Sequence, residues 1–268
     1  MMTRVTTGGP AMGNTAMDKK MTGQPLPGLL NGDIIRLTLR AAMGRRRALL
    51  FALPAIILIG LSALLKAKAN SPVWPPEVLG SVGYLILALT ALIVGGSVLG
   101  AEIDDGSILH LLATPVSRRS VILSKYLVAV ALTIAFAAVP EYIAGAIATG
   151  ASSGLAVGLF VGALAGAVIY NALFLMLTAV FSPAQALAFG LLYVLLWEGL
   201  LASLVPGVGL LSAGHYSLAV ANSIAHNAAL HADLNVGTGI GMGLVVTVAS
   251  LAFASVTLSG FNVAGDVT

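Results

Sequence analysis

The chain has 268 residues, of which 58% are hydrophobic and 9% charged, with a formal net charge of +3 and a mean hydropathy of +1.01. A soluble domain carries about 25% charged residues, so this composition excludes an ordinary globular protein and points to an integral membrane protein. The chain has no cysteine, which also excludes disulfides and thiolate metal sites.

Residues 1–28 are rich in Met, Thr, Gly and Pro, carry Arg4, Asp18, Lys19 and Lys20, and hold no apolar segment. They read as a flexible cytoplasmic tail and not as a signal peptide. Residues 29–47 read as an amphipathic interfacial helix. Asp33, Arg36, Arg40 and Arg47 fall near one face, with Leu30, Ile34, Leu37 and Ala41 on a neighbouring one. The other reading of this stretch is a helical extension of the first span.

Residues 48–268 read as a six-helix transmembrane domain, giving an all-α polytopic membrane protein. A crossing helix needs about 20 apolar residues. Six runs qualify: Ala48–Leu65, Leu79–Gly100, Tyr126–Thr149, Gly154–Phe181, Ala184–Val205 and Gly237–Gly260. Continuous apolarity leaves helices as the spanning form, since a barrel strand would alternate. With the N-terminus inside, eleven Lys and Arg lie on the cytoplasmic side and only Lys66 and Lys68 opposite. This bias predicts cytoplasmic termini and a cytoplasmic segment 101–125.

That segment carries Glu102, Asp104, Asp105, Arg118, Arg119 and Lys125 around a leucine-rich centre. Acids at its start suit a helix N-terminus, and Thr114-Pro115 ends the helix because the residue before proline avoids helical angles. Ser117 can cap the next helix. The reading is a short surface helix offering Ile108, Leu111 and Leu112 to a partner or to the protein's own underside. A solvated linker would leave those three residues without a purpose.

In the fourth span, Gly154, Gly158, Gly162 and Gly166 form a small-residue stripe. Gly237/Gly241 and Gly239/Gly243 give two pairs in the sixth. In lipid such stripes let helices approach closely, here within one protomer or between two. Residues 206–235 form the largest external loop, but Leu210, Leu211, Tyr216, Leu218, Val220 and Ile224 are too apolar for a solvated one. After the Pro206-Gly207 break this loop reads as a re-entrant hairpin covered by protein.

Two acids lie inside spans, Glu141 directly after Pro140 and Glu198 beside Trp197. Intramembrane acids are costly. They read either as the lining of a translocation path or outer gate, or as structural hydrogen-bond partners. Asn171, next to Tyr170, reads as interhelical glue. No Walker-type phosphate loop, zinc-protease motif or nucleophile elbow occurs. His226 and His231 are five apart, off one helix face, and with His215 read as loop histidines and not as a metal site.

At Glu102, Asp105-Gly106-Ser107, Leu111-Leu112, Pro115, Ser117-Arg118 and Lys125 the sequence resembles the type-2 family of ATP-binding-cassette (ABC) transporter permeases. The run Tyr193 to Gly199, then Val205-Pro206-Gly207 and His215-Tyr216, is similar to that family's fifth span and outer hairpin. The resemblance covers about residues 29–260. It implies the membrane subunit of an exporter in a bacterial inner membrane, two copies working with two ABC ATPase subunits. ATP and Mg would sit on the partner, with no cofactor in this chain. Residues 102–118 would be the coupling helix, using Glu102, Asp105, Gly106, Leu111, Leu112, Pro115 and Arg118. The outer gate would draw on Glu141, Glu198, Trp197, Pro206, His215 and Tyr216. A drug, lipid or peptide would be the cargo.

Three other readings compete. A proton-coupled secondary transporter would use Glu141 and Glu198 as relays and should show an internal repeat, which is not evident. An intramembrane enzyme lacks its motifs. A purely structural subunit would fit the glycine stripes alone.

Overall fold

Long uncharged runs can enter lipid only if their backbone groups pair within the segment, so each closes on itself as a helix. The computed structural model describes residues 32–42, 45–68, 74–104, 118–205 and 207–260. Among these it shows helices and no strand. Helix α1 is Gly32–Ala42, α2 is Arg45–Lys68 and α3 is Trp74–Asp104. Helix α4 runs from Arg118–Thr133 through a π segment, Ile134–Ala138, to Val139–Thr149. Helix α5 is Gly154–Val180. Helix α6 joins Pro183–Leu192, a π segment Tyr193–Leu201 and Ala202–Leu204. A 3₁₀ turn, Val208–Leu211, leads to α7, Ala213–Ala225. A second such turn, Ala228–Leu230, precedes α8, Val236–Gly260.

Six helices are long and apolar enough to cross a membrane: α2, α3, α4, α5, α6 and α8. Helices α3, α4 and α5 form the inner layer. Helices α2, α6 and α8 turn Leu53, Ile56, Leu192, Leu195, Val245 and Val248 outward, as lipid contact allows.

The third span starts earlier than the apolar run suggested. Its candidate crossing segment is Arg119–Thr149, not Tyr126–Thr149. Lys125 lies inside it, fully buried, because its ammonium donates to the Val98 carbonyl of α3 at 2.9 Å. A lysine paired in this way no longer marks a boundary. The first span likewise reaches Lys68, where exposed Lys66 and Lys68 can carry their charge beyond the helix end.

Helix α1 covers Gly32–Ala42 of the expected 29–47 stretch, and residues 29–31, 43 and 44 of that stretch lie outside the described residues. It packs on α3 and α4 through Ile34, Thr38 and Ala42, one residue per turn. Leu37, expected on the same apolar face as Ile34, is 64% exposed instead, because a three-residue step rotates it about 60° away from the packed line. Leu30 lies outside the described residues.

Both π segments have local causes. Pro140 lacks an N–H and its ring would strike the carbonyl four residues back. The wider turn of Ile134–Ala138 precedes it, closed by the Val139 N–H on the Ile134 carbonyl. The segment Tyr193–Leu201 places Tyr193 and Glu198, five apart, within contact on one face.

Candidate functional site

The glycine stripe of α5 faces α7 within the same chain. A Cβ on Gly158 would stand 2.6 Å from the Ala221 carbonyl oxygen, and one on Gly162 2.7 Å from that of Ser217. A Cβ on Gly166 would stand 2.7 Å from Ser217 Oγ, and Gly154 meets the Ile224 carbonyl at the far end of the same groove. Hydrogen in place of a methyl at Gly158, Gly162 and Gly166 lets the hairpin helix lie down on the span, and Gly154 leaves a tighter but passable gap. Of the two pairs in α8, Gly239 and Gly243 pack on α7 and α5, against Ala219, Tyr216 and Ile169. Gly237 and Gly241 lie on the other side of α8, and nothing stands within 4 Å of a Cβ at Gly241. The two pairs are offset by two residues, about 200° around the helix, so only one can face the core.

Helix α7 begins at a cluster built around Glu198. Ser212 is its N-cap and accepts from the His215 N–H at 3.1 Å. The Ser212 hydroxyl itself donates to Glu198 Oε2. Glu198 Oε1 accepts from the Tyr193 hydroxyl at 2.6 Å and from the Ala213 N–H at 2.9 Å. The Gly214 N–H adds contacts at 3.4 and 3.3 Å to the two oxygens. A carboxylate therefore occupies the helix N-terminus, where unpaired N–H groups and the dipole favour it. Gly214 allows this approach, since a Cβ there would be 2.9 Å from Glu198 Oε2 and 3.2 Å from the Tyr170 hydroxyl.

The neighbouring expected residues support the same cluster. Trp197 donates from Nε1 to the Leu211 carbonyl at 3.1 Å, and the Tyr216 hydroxyl donates to the Leu210 carbonyl. Burial first, and the Glu198 charge second, raise the Tyr216 phenol above its ordinary value. His215 contacts Ser212 Oγ through Nδ1 at 2.9 Å and Asp233 through Nε2 at 3.8 Å. Gly207, at φ +87°, makes the turn out of α6 that only glycine enters without strain. Trp197, Glu198, His215 and Tyr216 are thus brought together.

Glu141 stands apart from them. It is 2% exposed, its carboxyl lies against Gly83 of α3, and neither oxygen has a hydrogen-bond partner among the described residues. The Tyr84 hydroxyl is equally buried and unpartnered. An unmade hydrogen bond in such a place costs about 1–3 kcal/mol. Glu141→Met is therefore expected to raise the thermal unfolding midpoint of the purified chain. A fall of several degrees in differential scanning fluorimetry would reveal a partner for the carboxyl and reverse that expectation. Asn171 does join two helices, donating to Thr133 Oγ1 at 2.9 Å.

A cavity of about 380 Å³ opens between α3, α6, α7 and the turn after it. Glu198, His215, Tyr84, Tyr170 and Asp233 contribute polar groups, and Leu85 and Leu218 apolar walls. His231, also in the lining, reaches Glu77 at the start of α3 at 3.8 Å. No group of three or more His, Asp or Glu with metal-ligating geometry occurs among the described residues. Sequence reasoning missed Tyr84, Ser212 and Asp233. For Tyr84 the available signal was a polar-tipped aromatic in the middle of an apolar run.

Of the expected coupling residues, Asp105, Gly106, Leu111, Leu112 and Pro115 lie outside the described residues, as does Pro206 of the gate. Glu102 falls in the last turn of α3, and Arg118 opens α4.

A family model described as ABC-2 family transporter protein matches residues 43–210, most of the membrane region. No curated protein shows significant similarity to the chain.

Proposed function

The chain belongs to the ABC-2 family of transporter membrane proteins, and from that premise we propose that it is an export permease. Membership makes it a multi-pass permease subunit that works with an ABC ATPase subunit and is not itself the ATPase. The finer reading is an exporter of two permease copies and two ATPase subunits. It carries a lipophilic or amphipathic molecule out of a bacterial cytoplasm across the inner membrane, with both termini cytoplasmic. ATP and Mg belong to the partner subunits. The observation that carries this reading is the family match over residues 43–210. The hairpin clamped on α5 supports it by offering a cover at one end of the bundle.

Nucleotide on a separate subunit can bias this chain only through a contact whose strength differs between two conformations. Residues 102–118 are the proposed contact, in line with their acids, leucine pair and proline. Leu111→Asp or Leu112→Asp is expected to abolish substrate-stimulated ATP hydrolysis in reconstituted vesicles while membrane insertion persists. Stimulation at the wild-type level would remove the segment from that role.

The direct test is affinity purification of the tagged chain from its own membrane in mild detergent, followed by mass spectrometry. A stoichiometric ATPase with a Walker phosphate loop is the expected companion. A chain that purifies alone after cross-linking would favour the proton-coupled transporter. Glu141, buried and without a hydrogen-bond partner among the described residues, suits that second reading. Glu198 suits it less, because the α7 N-terminus already occupies both its oxygens.

A further inference from the structure

The cavity beside α7 has a definite chemical character. Its volume, about 380 Å³, falls in the range of small-molecule sites, about 300–1,000 Å³. Its lining holds two carboxylates, Glu198 and Asp233, and neither lysine nor arginine. Glu198 is fixed in place by four donors, so its charge does not swing away with the side chain. Two phenol rings, Tyr84 and Tyr170, stand in the same lining, and Tyr84 keeps a buried hydroxyl without a hydrogen-bond partner among the described residues. Leu85 and Leu218 complete apolar walls.

Each feature selects against one ligand class. An anion would face two carboxylates, and the two histidines of the lining, His215 and His231, already turn to Asp233 and Glu77 at 3.8 Å each. A neutral apolar molecule would use the walls and leave the carboxylates and the two phenols idle. A cation with an apolar body uses all three, because aromatic faces and carboxylates attract positive charge and leucines accept the rest. Building on the permease reading, we propose that this cavity is the ligand site and that it takes an organic cation of the quaternary-ammonium type.

The test uses the full chain with its co-purified partners in lipid nanodiscs. The probe is radiolabelled phenyltrimethylammonium, and tert-butylbenzene is its neutral isostere. Equilibrium dialysis should show saturable binding, with the neutral isostere displacing the label about tenfold more weakly, as loss of the charge and ring attraction implies. Leu218→Trp, which fills the cavity, should abolish binding. Glu198→Gln should weaken it about fivefold or more, and the exposed Asp233→Asn gives a second charge variant that does not touch the α7 cap. Equal displacement by both compounds would overturn the proposal. So would wild-type affinity in Leu218→Trp, or no saturable binding at millimolar probe. The ATPase content of the same preparation keeps the two readings separate. Binding lost with the ATPase present overturns the ligand class alone, and binding kept without any ATPase overturns the subunit reading alone.

Discussion

Gly162→Ala is expected to destabilise the chain by about 3 kcal/mol, the upper part of the range for overpacking. The added methyl would stand 2.2 Å from the Tyr84 hydroxyl, 2.7 Å from the Ser217 carbonyl and 2.8 Å from the Ala221 methyl. One of these is backbone of α7 and one the end of a stiff ring, so neither yields without moving a helix. Gly241→Ala is the internal control. Its surroundings are empty within 4 Å, and alanine favours the helix by up to about 1 kcal/mol. Thermal unfolding in detergent should therefore separate the two variants by several degrees in opposite directions. Equal midpoints would mean that α7 does not lie in the glycine groove.

The contrast shows what a sequence carries and where it stops. Six spans were legible because lipid imposes a simple demand, a continuous run free of charge. The demand misled once, at Lys125, where a carbonyl of another helix takes the charge. No run of residues in one segment announces a partner 27 positions away. The stripe Gly154 to Gly166 was legible as a packing surface, but spacing is identical for a contact inside or between protomers. Tyr216 and Leu218 were legible as too apolar for water, and what they meet, Gly239 of α8 and Gly80 of α3, was not.

The site itself was half legible. An acid in a span draws notice by its cost, so Glu141 and Glu198 stood out equally. Their difference lies in their surroundings. Glu198 meets a helix start 14 residues on, past a proline-glycine break, and Ser212 lacks the glutamate three residues later that would have marked a capping box. Glu141 meets Gly83 and finds no partner among the described residues. The cavity joins residues 80–85, 198–202 and 230–233, a juxtaposition that no local pattern encodes.

Glu198→Ala tests whether the hairpin is held by that one carboxyl. The substitution removes the acceptor for the Tyr193 and Ser212 hydroxyls and for the Ala213 and Gly214 N–H groups. Four donors lose their partner together, and the loss of a hydrogen bond to a charged group costs about 1.5–3 kcal/mol. The cost falls on the start of α7 and not on the span, because α6 makes its own backbone bonds while the first turn of α7 leans on the carboxyl. The expected result is a chain that still inserts but whose residues 207–235 become open to protease in nanodiscs. Trp197, bonded to Leu211 at the same place, should shift its emission to the red. Glu198→Gln keeps one acceptor oxygen. It should hold the hairpin closed at wild-type protease resistance while export falls, since the charge is gone and the cap is largely kept. The order wild type, Gln, Ala in export, against a break only at Ala in hairpin protection, separates the charge from the clasp. Wild-type protection in the Ala variant would show that the glycine groove alone holds α7 down. Wild-type export in the Gln variant would leave Glu198 a structural residue.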